Sequence, residues 1–216
     1  MEFSSYFHSL NSDRFNVFKD QRNVLGGVIE KYRDPERFPD FSGFDIAIIG
    51  VEEDRGAVLN DGCGRAPDII REKLYSLKTA RYPYKIVDLG NIRLGETLTD
   101  TYAALSAIHV ELFKEGVLPV ILGGSQDLTF AQYVAYQKLE ETVNIVSVDS
   151  KFDLGTTEEP NNADSYLGKI VLHEPNFLFN FSSVGYQTYF VGHEQIDLME
   201  KLYFDAYRLG QVRRDI

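Results

Sequence analysis

Short apolar runs alternate along this chain with amphipathic stretches. Ile46-Ala47-Ile48-Ile49-Gly50 is the first such run; continuous and too short for a helix, it has the pattern of a strand buried on both faces. Lys85 to Gly90, Val117 to Leu122, Val143 to Val148 and Thr188-Tyr189-Phe190-Val191-Gly192 read as four further strands. Helices fall between them. Pro67 suits a first helical position, where no amide hydrogen bond is lost, and Asp68 meets the positive end of the dipole, so a helix starts there and runs through Leu74. Asp100 is placed to cap a helix to about Glu115, with Ala104, Leu105, Ile108, Leu112 and Phe113 inward and Gly116 at its end. Helices from about Leu128 to Leu139 and from about Glu194 to Leu209 complete the series. This alternation predicts an α/β fold, a mostly parallel sheet covered by helices on both faces.

The first forty or so residues lack any strand pattern. Phe18 to Tyr32 can make an amphipathic helix, with Val24, Leu25, Val28 and Ile29 on one stripe, although Gly26-Gly27 weakens it. Pro35, Pro39 and Gly43 then break the chain. Residues 1–43 are therefore expected to form an N-terminal extension packed on a core spanning 44–216.

Composition narrows the function classes. The 216 residues are 44% apolar and 25% charged, as expected of one globular domain. Twenty-two basic against thirty-three acidic residues give −11, which argues against a phosphate-tracking nucleic-acid binder or a surface that adheres to anionic lipid. Cys63 is the single cysteine, so no internal disulfide is possible and nothing points to an oxidising compartment. No apolar run approaches the roughly 18–20 residues of a membrane span, and Met1 to Leu10 lacks the basic and apolar segments of a secretion signal. A cytoplasmic protein is expected.

Ligands of open α/β sheets meet the carboxyl ends of the strands, and three such ends are chemically loaded. They are the acidic, glycine-containing loop Gly50 to Arg65, the turn Gly123-Gly124-Ser125-Gln126-Asp127, and Asp149-Ser150-Lys151-Phe152-Asp153. Singly, each has a plain structural reading. Ser125 or Asp127 can cap the helix that follows, and Lys151 with Asp153 can be a solvated pair of small energetic weight. The glycine turn is not a phosphate-binding P-loop, because the Gly-x-x-x-x-Gly-Lys-Ser/Thr spacing is missing. Cys63 has no base beside it in sequence, His109 falls in mid-helix, and His193 follows the last strand.

Together the segments resemble the ureohydrolase family of arginases, agmatinases and formimidoylglutamases. Val120 to Thr129 resembles the stretch where that family has Gly-Gly-Asp-His-Ser, and Ile145 to Leu154 resembles its Asp-Ala-His-x-Asp motif. Gly62-Cys63-Gly64-Arg65-Ala66-Pro67 with Ile70-Arg71 and Leu74 is similar to an early family element. The resemblance runs from about Phe44 to the end and implies a three-layer arginase-like fold. It also implies a manganese pair held by carboxylates and two histidines, and here the departures count. Gln126 and Lys151 stand at the histidine positions and Ser125 at an aspartate position, while Asp149 and Asp153 match metal-ligand positions. The family's later Ser-x-Asp-x-Asp motif does not occur.

Two divalent cations about 3.5–4 Å apart need several anionic and imidazole ligands. Gln126 offers a weak neutral carbonyl and Lys151 a repelling ammonium. The expectation is therefore a degenerate site with no cofactor, in which Lys151 replaces the metals by neutralising Asp149 and Asp153, with Asp127 nearby. Such a protein is non-catalytic or altered in activity. The alternative is an Mn2+-dependent amidine or guanidine hydrolase, with Asp149 and Asp153 as ligands, completed by a C-terminal half. A third reading is a structural partner that builds an oligomer. The loop Glu158 to Ser165 lies where the family's substrate loop falls, so Asn162 and Tyr166 are candidate contacts for a small polar ligand, as is His193, which follows the last strand and could face the same rim. The resemblance implies homo-oligomers, while charge and hydropathy lead to the expectation of no nucleic-acid and no membrane partner. It also implies further strands between the third and fourth read here, so that this chain alone has a split sheet with exposed edges.

Overall fold

The apolar runs pair into two separate sheets. In the computed structural model, which describes residues 3–18, 21–79, 84–156 and 160–215, the first sheet holds β1 (Phe7–His8), β2 (Glu30–Lys31), β3 (Ile46–Gly50), β4 (Ile86–Ile92) and β5 (Leu118–Leu122). Its order is β1-β4-β3-β5, with β2 also on β4. The second sheet is β6 (Val143–Val148), β7 (Leu178–Tyr186) and β8 (Asp205–Arg208), in that order. Every pairing is parallel except β1 on β4. Parallel neighbours need crossovers, and these carry α3 (Ala66–Ser76), α4 (Leu98–Lys114), α5 (Leu128–Lys138), α6 (Tyr166–Val171) and α7 (His193–Lys201). The short helices α1 (Ser12–Phe15) and α2 (Leu25–Val28) precede the core, and α8 (Leu209–Asp215) follows β8.

Each sheet face of the first half has its own core. On one side Leu105, Ile108 and Leu112 of α4 pack with Leu128 and Ala131 of α5 onto Ala47, Ile49, Val87 and Leu89. On the other, Ile48 and Leu122 meet Tyr75 of α3, together with Leu10, Phe15 and Ile29 from the N-terminal segment. That segment also places Phe7 and Tyr32 in the first core. In the second half Phe181 is buried with Leu167 and Ile170 of α6, Met199 of α7 and Tyr133 of α5. Helix α5 therefore joins the halves, and its Phe130 packs against both.

Arg71 of α3 is fully buried, its guanidinium spanning both oxygens of Asp88 at 2.9 and 3.0 Å. Tyr75 donates a third hydrogen bond to Asp88 at 2.7 Å. Arg71 thus clamps α3 to β4, a bidentate pair of the kind that tolerates burial because every acceptor is satisfied.

Several sequence expectations are corrected. Helix α4 is capped by Thr97, not Asp100: the Thr97 hydroxyl accepts from the Asp100 amide, and the Asp100 carboxylate accepts from the Thr97 amide, a reciprocal box. In the stretch Phe18 to Tyr32, of which Lys19 and Asp20 lie outside the described residues, only Leu25–Val28 is α-helical and Glu30–Lys31 joins the sheet. Residues Thr188 to Gly192 are not a strand. The fifth core strand is β7, and Tyr189 and Phe190 sit exposed in the turn after it. The last helix expected, Glu194 to Leu209, stops at Lys201, because residues 205–208 pair with β7 as β8.

The expected split is present. Among the described residues β5 and β6 are each paired on one side only. Val146 and Val148 of β6 are 66% and 82% exposed, and Leu118 and Val120 of β5 are also open. No helix among the described residues is long and apolar enough to cross a membrane.

Candidate functional site

Three loops at carboxyl ends of strands are stitched together by backbone. The Ser125 amide, in the turn after β5, donates to the Glu53 carbonyl after β3 at 2.9 Å. The Ala163 amide donates to the Gly56 carbonyl at 2.9 Å, and the Gly155 amide to the Asp164 carbonyl at 2.8 Å. Approach is closest at Gly124, where a Cβ would lie 1.9 Å from the Glu53 carbonyl oxygen. A side chain there is excluded by backbone, so Gly124 serves loop contact. Neither Ser125 nor Asp127 caps α5 by its side chain, which corrects the plain reading of that turn.

Asp127 turns inward instead. Its fully buried carboxylate accepts hydrogen bonds from the hydroxyls of Ser125 and of Tyr102 on α4. Tyr102 in turn accepts from Asn161 Nδ2 at 3.1 Å. Burial pushes the Asp127 carboxyl up and the two hydroxyls pull it back, with a net rise. Beside it, Glu53 is fully buried and chelated by the Arg55 guanidinium at 2.9 and 2.5 Å, with Thr101 donating at 3.0 Å. Burial raises the Glu53 carboxyl, but the hydrogen bonds from Arg55 and Thr101 outweigh it and the net shift is downward.

After β6, Asp149 folds back on its own loop, accepting from the amides of Ser150 and Lys151. Lys151 makes its ion pair with Asp164, at 2.9 Å and about two-fifths exposed. This corrects the expectation that Lys151 directly neutralises Asp149 and Asp153. Those two acids act on it only at longer range: the hydrogen bond to Asp164 is the largest cause of its raised pKa, and Asp153 and Asp149 come last.

Asp153 differs from its neighbours. It is buried, its backbone is left-handed at φ 53°, and its Oδ2 has no hydrogen-bond partner. Burial, then repulsion from Asp149 and Asp164, pushes its carboxyl up to about 7, against a smaller downward pull from Lys151. Tyr166, buried at the start of α6, is raised by burial and by the same two acids Asp153 and Asp149. Its hydroxyl accepts from Gln126 Nε2 at 3.4 Å.

The structure thus brings Ser125, Asp127 and, through Tyr166, Gln126, Asp149 and Asp153 into one neighbourhood. Asn162 organises its loop, its Oδ1 accepting from the Asp164 amide at 3.0 Å. His193 opens α7, exposed, and makes no hydrogen bond or ion pair among the described residues. Glu158 and Glu159 lie outside the described residues. Cys63 sits in a short turn where burial, Asp54 and Asp127 push its thiol up, away from nucleophilic thiolate. His109 is a buried helix residue whose Nδ1 lies 2.8 Å from the Leu105 carbonyl, and burial lowers it to about 4. Tyr102, Glu53, Arg55 and Asp164 are the participants that sequence reasoning missed. Glu53-x-Arg55 directly after a strand was the one available signal.

Among the described residues no group of three or more His, Cys, Asp or Glu side chains is placed to hold a metal. Gln126 directs its amide N–H at Tyr166, Lys151 places an ammonium near the acids, and Asp127 is satisfied by hydroxyls.

Residues 44–215 match the family model described as arginase family. The formimidoylglutamase of Staphylococcus epidermidis (strain RP62A) is 26% identical over 178 residues, taking in 67% of this chain and 57% of the relative. That of Halobacterium salinarum is 30% identical over 135 residues, 60% of this chain and 43% of the relative. Among solved structures, Trypanosoma cruzi formiminoglutamase with Mn2+ superposes with a TM-score of 0.73 at 19% identity, over 88% of this chain and 66% of that one. Formimidoylglutamase from Bacillus subtilis gives 0.70 at 17% identity, over 80% and 58%. These structures share the fold. The chain spans about half the length of the curated relatives it matches.

Proposed function

We propose, from the premise that this chain belongs to the arginase family, that it is a ureohydrolase-fold protein with a degenerate metal centre, non-catalytic or altered in activity. The observation that carries this reading is the Lys151–Asp164 ion pair beside Asp149 and Asp153. An ammonium held among these acids supplies the positive charge that a cation would bring, and it offers no lone pair to a metal. Asp149 and Asp127 are already engaged with loop amides and hydroxyls. Among the described residues, Asp153 Oδ2 is the one buried carboxylate oxygen without a hydrogen-bond partner.

That same oxygen favours a second reading, a metal-dependent hydrolase of linear amidines or guanidines whose site is completed by further chain. A raised, unpartnered carboxyl is one that a cation would relieve. Elemental analysis of the purified chain, with a screen for urea or formamide release from arginine, agmatine and formimidoylglutamate, separates the two. Near-stoichiometric manganese with product release would overturn the degenerate-site reading; neither is expected.

A further inference from the structure

At the carboxyl ends of β7 and β8 lies an open cavity of about 650 Å³ that belongs to none of the loops described above. Its wall includes Tyr186, Gln187, Arg208, Arg213 and Arg214 and, among the described residues, no carboxylate. In a chain of net charge −11, three arginines around one cavity are a local reversal of sign. None of the three makes an ion pair among the described residues. Asp205, the acid on β8 itself, accepts instead from Asn180 and Ser182.

The site is built rather than incidental. Arg208 Nη2 donates to Thr188 Oγ1 at 3.1 Å, fixing the guanidinium across the β7 turn, and the Arg208 amide donates to Gln211 Oε1 at 3.1 Å. Arg213 and Arg214 come from α8, so the positive charge converges from two elements. The volume lies within the roughly 300–1,000 Å³ of small-ligand sites, and the carboxyl end of a parallel sheet is where such ligands bind. The cavity also touches the acidic loop. The Gln187 amide donates to the Ser150 carbonyl at 3.0 Å, and the Tyr186 ring lies 4.9 Å from that of Phe152.

We infer that this cavity binds a small molecule through an oxyanion, a carboxylate or a phosphate, held by the guanidinium groups of Arg208, Arg213 and Arg214. Planar guanidinium forks match both groups bidentately and need no deprotonation to do so. The inference goes beyond the degenerate-site reading and is independent of it, since the cavity contains none of Ser125, Gln126, Asp149, Lys151 or Asp153.

Titration calorimetry on the full chain at low ionic strength tests it, with glutarate and inorganic phosphate as separate probes. Saturable one-to-one binding of either is expected. Saturation by glutarate alone assigns a carboxylate ligand, by phosphate alone a phosphate ligand, and by both a general oxyanion site. The variants Arg208→Gln and Arg213→Gln/Arg214→Gln should each weaken binding about tenfold or more, while Lys114→Gln, an exposed cation on α4, leaves it unchanged. The Arg213/Arg214 pair is exposed on a terminal helix, so its variant keeps the test valid if Arg208→Gln fails to fold. No saturation with either probe, or saturation unchanged in the arginine variants, would overturn the assignment.

Discussion

Asp153→Asn replaces a carboxyl whose charge the fold resists with an amide of the same shape. In the folded chain this carboxyl has a pKa of about 7, against an ordinary value of 3.8. The folded state therefore keeps a proton that the unfolded state has lost, and folding takes one up between those values. Stability contributed by the neutral form is fully present below about pH 4 and is lost progressively as pH rises toward about 7. The sign is opposite to that of a salt-bridged aspartate. The full difference, about three pKa units, corresponds to on the order of 4 kcal/mol at pH above about 7. That is a large part of the roughly 5–15 kcal/mol that a domain has to lose.

The assay is urea unfolding of wild type and Asp153→Asn across a pH series, with the stability difference between them plotted against pH. Taking the difference cancels the titrating groups that do not interact with Asp153. Near about pH 4 the two should be of equal stability, and near about pH 8 the variant should be the more stable by about 3–4 kcal/mol. Asp149→Asn should recover a smaller part of the same gain, because repulsion from Asp149 ranks behind burial among the causes. A difference that stays flat from acid to mildly alkaline pH would refute the reasoning, since it would mean that Asp153 ionises in the fold as freely as in the unfolded chain.

Other outcomes follow from the same geometry. Asp88→Ala removes the fully buried, bidentate partner of the Arg71 guanidinium and leaves it, for an ion pair, only the Asp68 carboxylate at 3.4 Å, and should cost about 3–5 kcal/mol in denaturant unfolding. Gly124→Ala forces a Cβ toward the Glu53 carbonyl oxygen; a loss of about 2–4 kcal/mol is expected by thermal or urea unfolding. The double variant Gln126→His/Lys151→His removes the ammonium and restores two imidazoles at the positions the family resemblance assigns to ligands. It should raise manganese uptake measured by elemental analysis after dialysis, and unchanged uptake would count against the placement of those positions.

How far the sequence could be read depended on how each strand is buried. β3 is a continuous apolar run and β6 has four apolar residues in six, and both are legible, as are the ends of β5 and α5 within a residue. β7 is not, because Asn180, Ser182 and Ser183 interrupt Leu178, Phe179 and Phe181 and disguise it as loop. The run Tyr189-Phe190-Val191 imitates a strand, yet no neighbour is there to pair with it, and Tyr189 is 94% exposed. At the site, the residue types were legible and their pairing was not. Three acids and one asparagine lie within reach of the Lys151 loop, and only the chain path shows that Asp164, thirteen positions along, takes the ion pair. Tyr102 is 25 residues from Asp127 and reads from its spacing as one more inward residue of α4.

The pairing explains why the acids gathered at the strand ends do not form a cluster of mutually repelling charges. Each acid there has a local answer of a different kind. Glu53 has a guanidinium, Asp127 two hydroxyls, Asp149 the amides of its own loop, and Asp164 the Lys151 ammonium. Asp153 alone has no donor for its Oδ2 and is answered by a proton. Buried carboxylates cost least when their charge is met locally or removed, so this arrangement is self-consistent without imidazole ligands. It also concentrates the chemical deficit of the site on one buried oxygen atom, which is why a single isosteric change at Asp153 probes the charge balance of the site more sharply than the removal of Lys151, whose partner Asp164 is about two-fifths exposed and can turn to water.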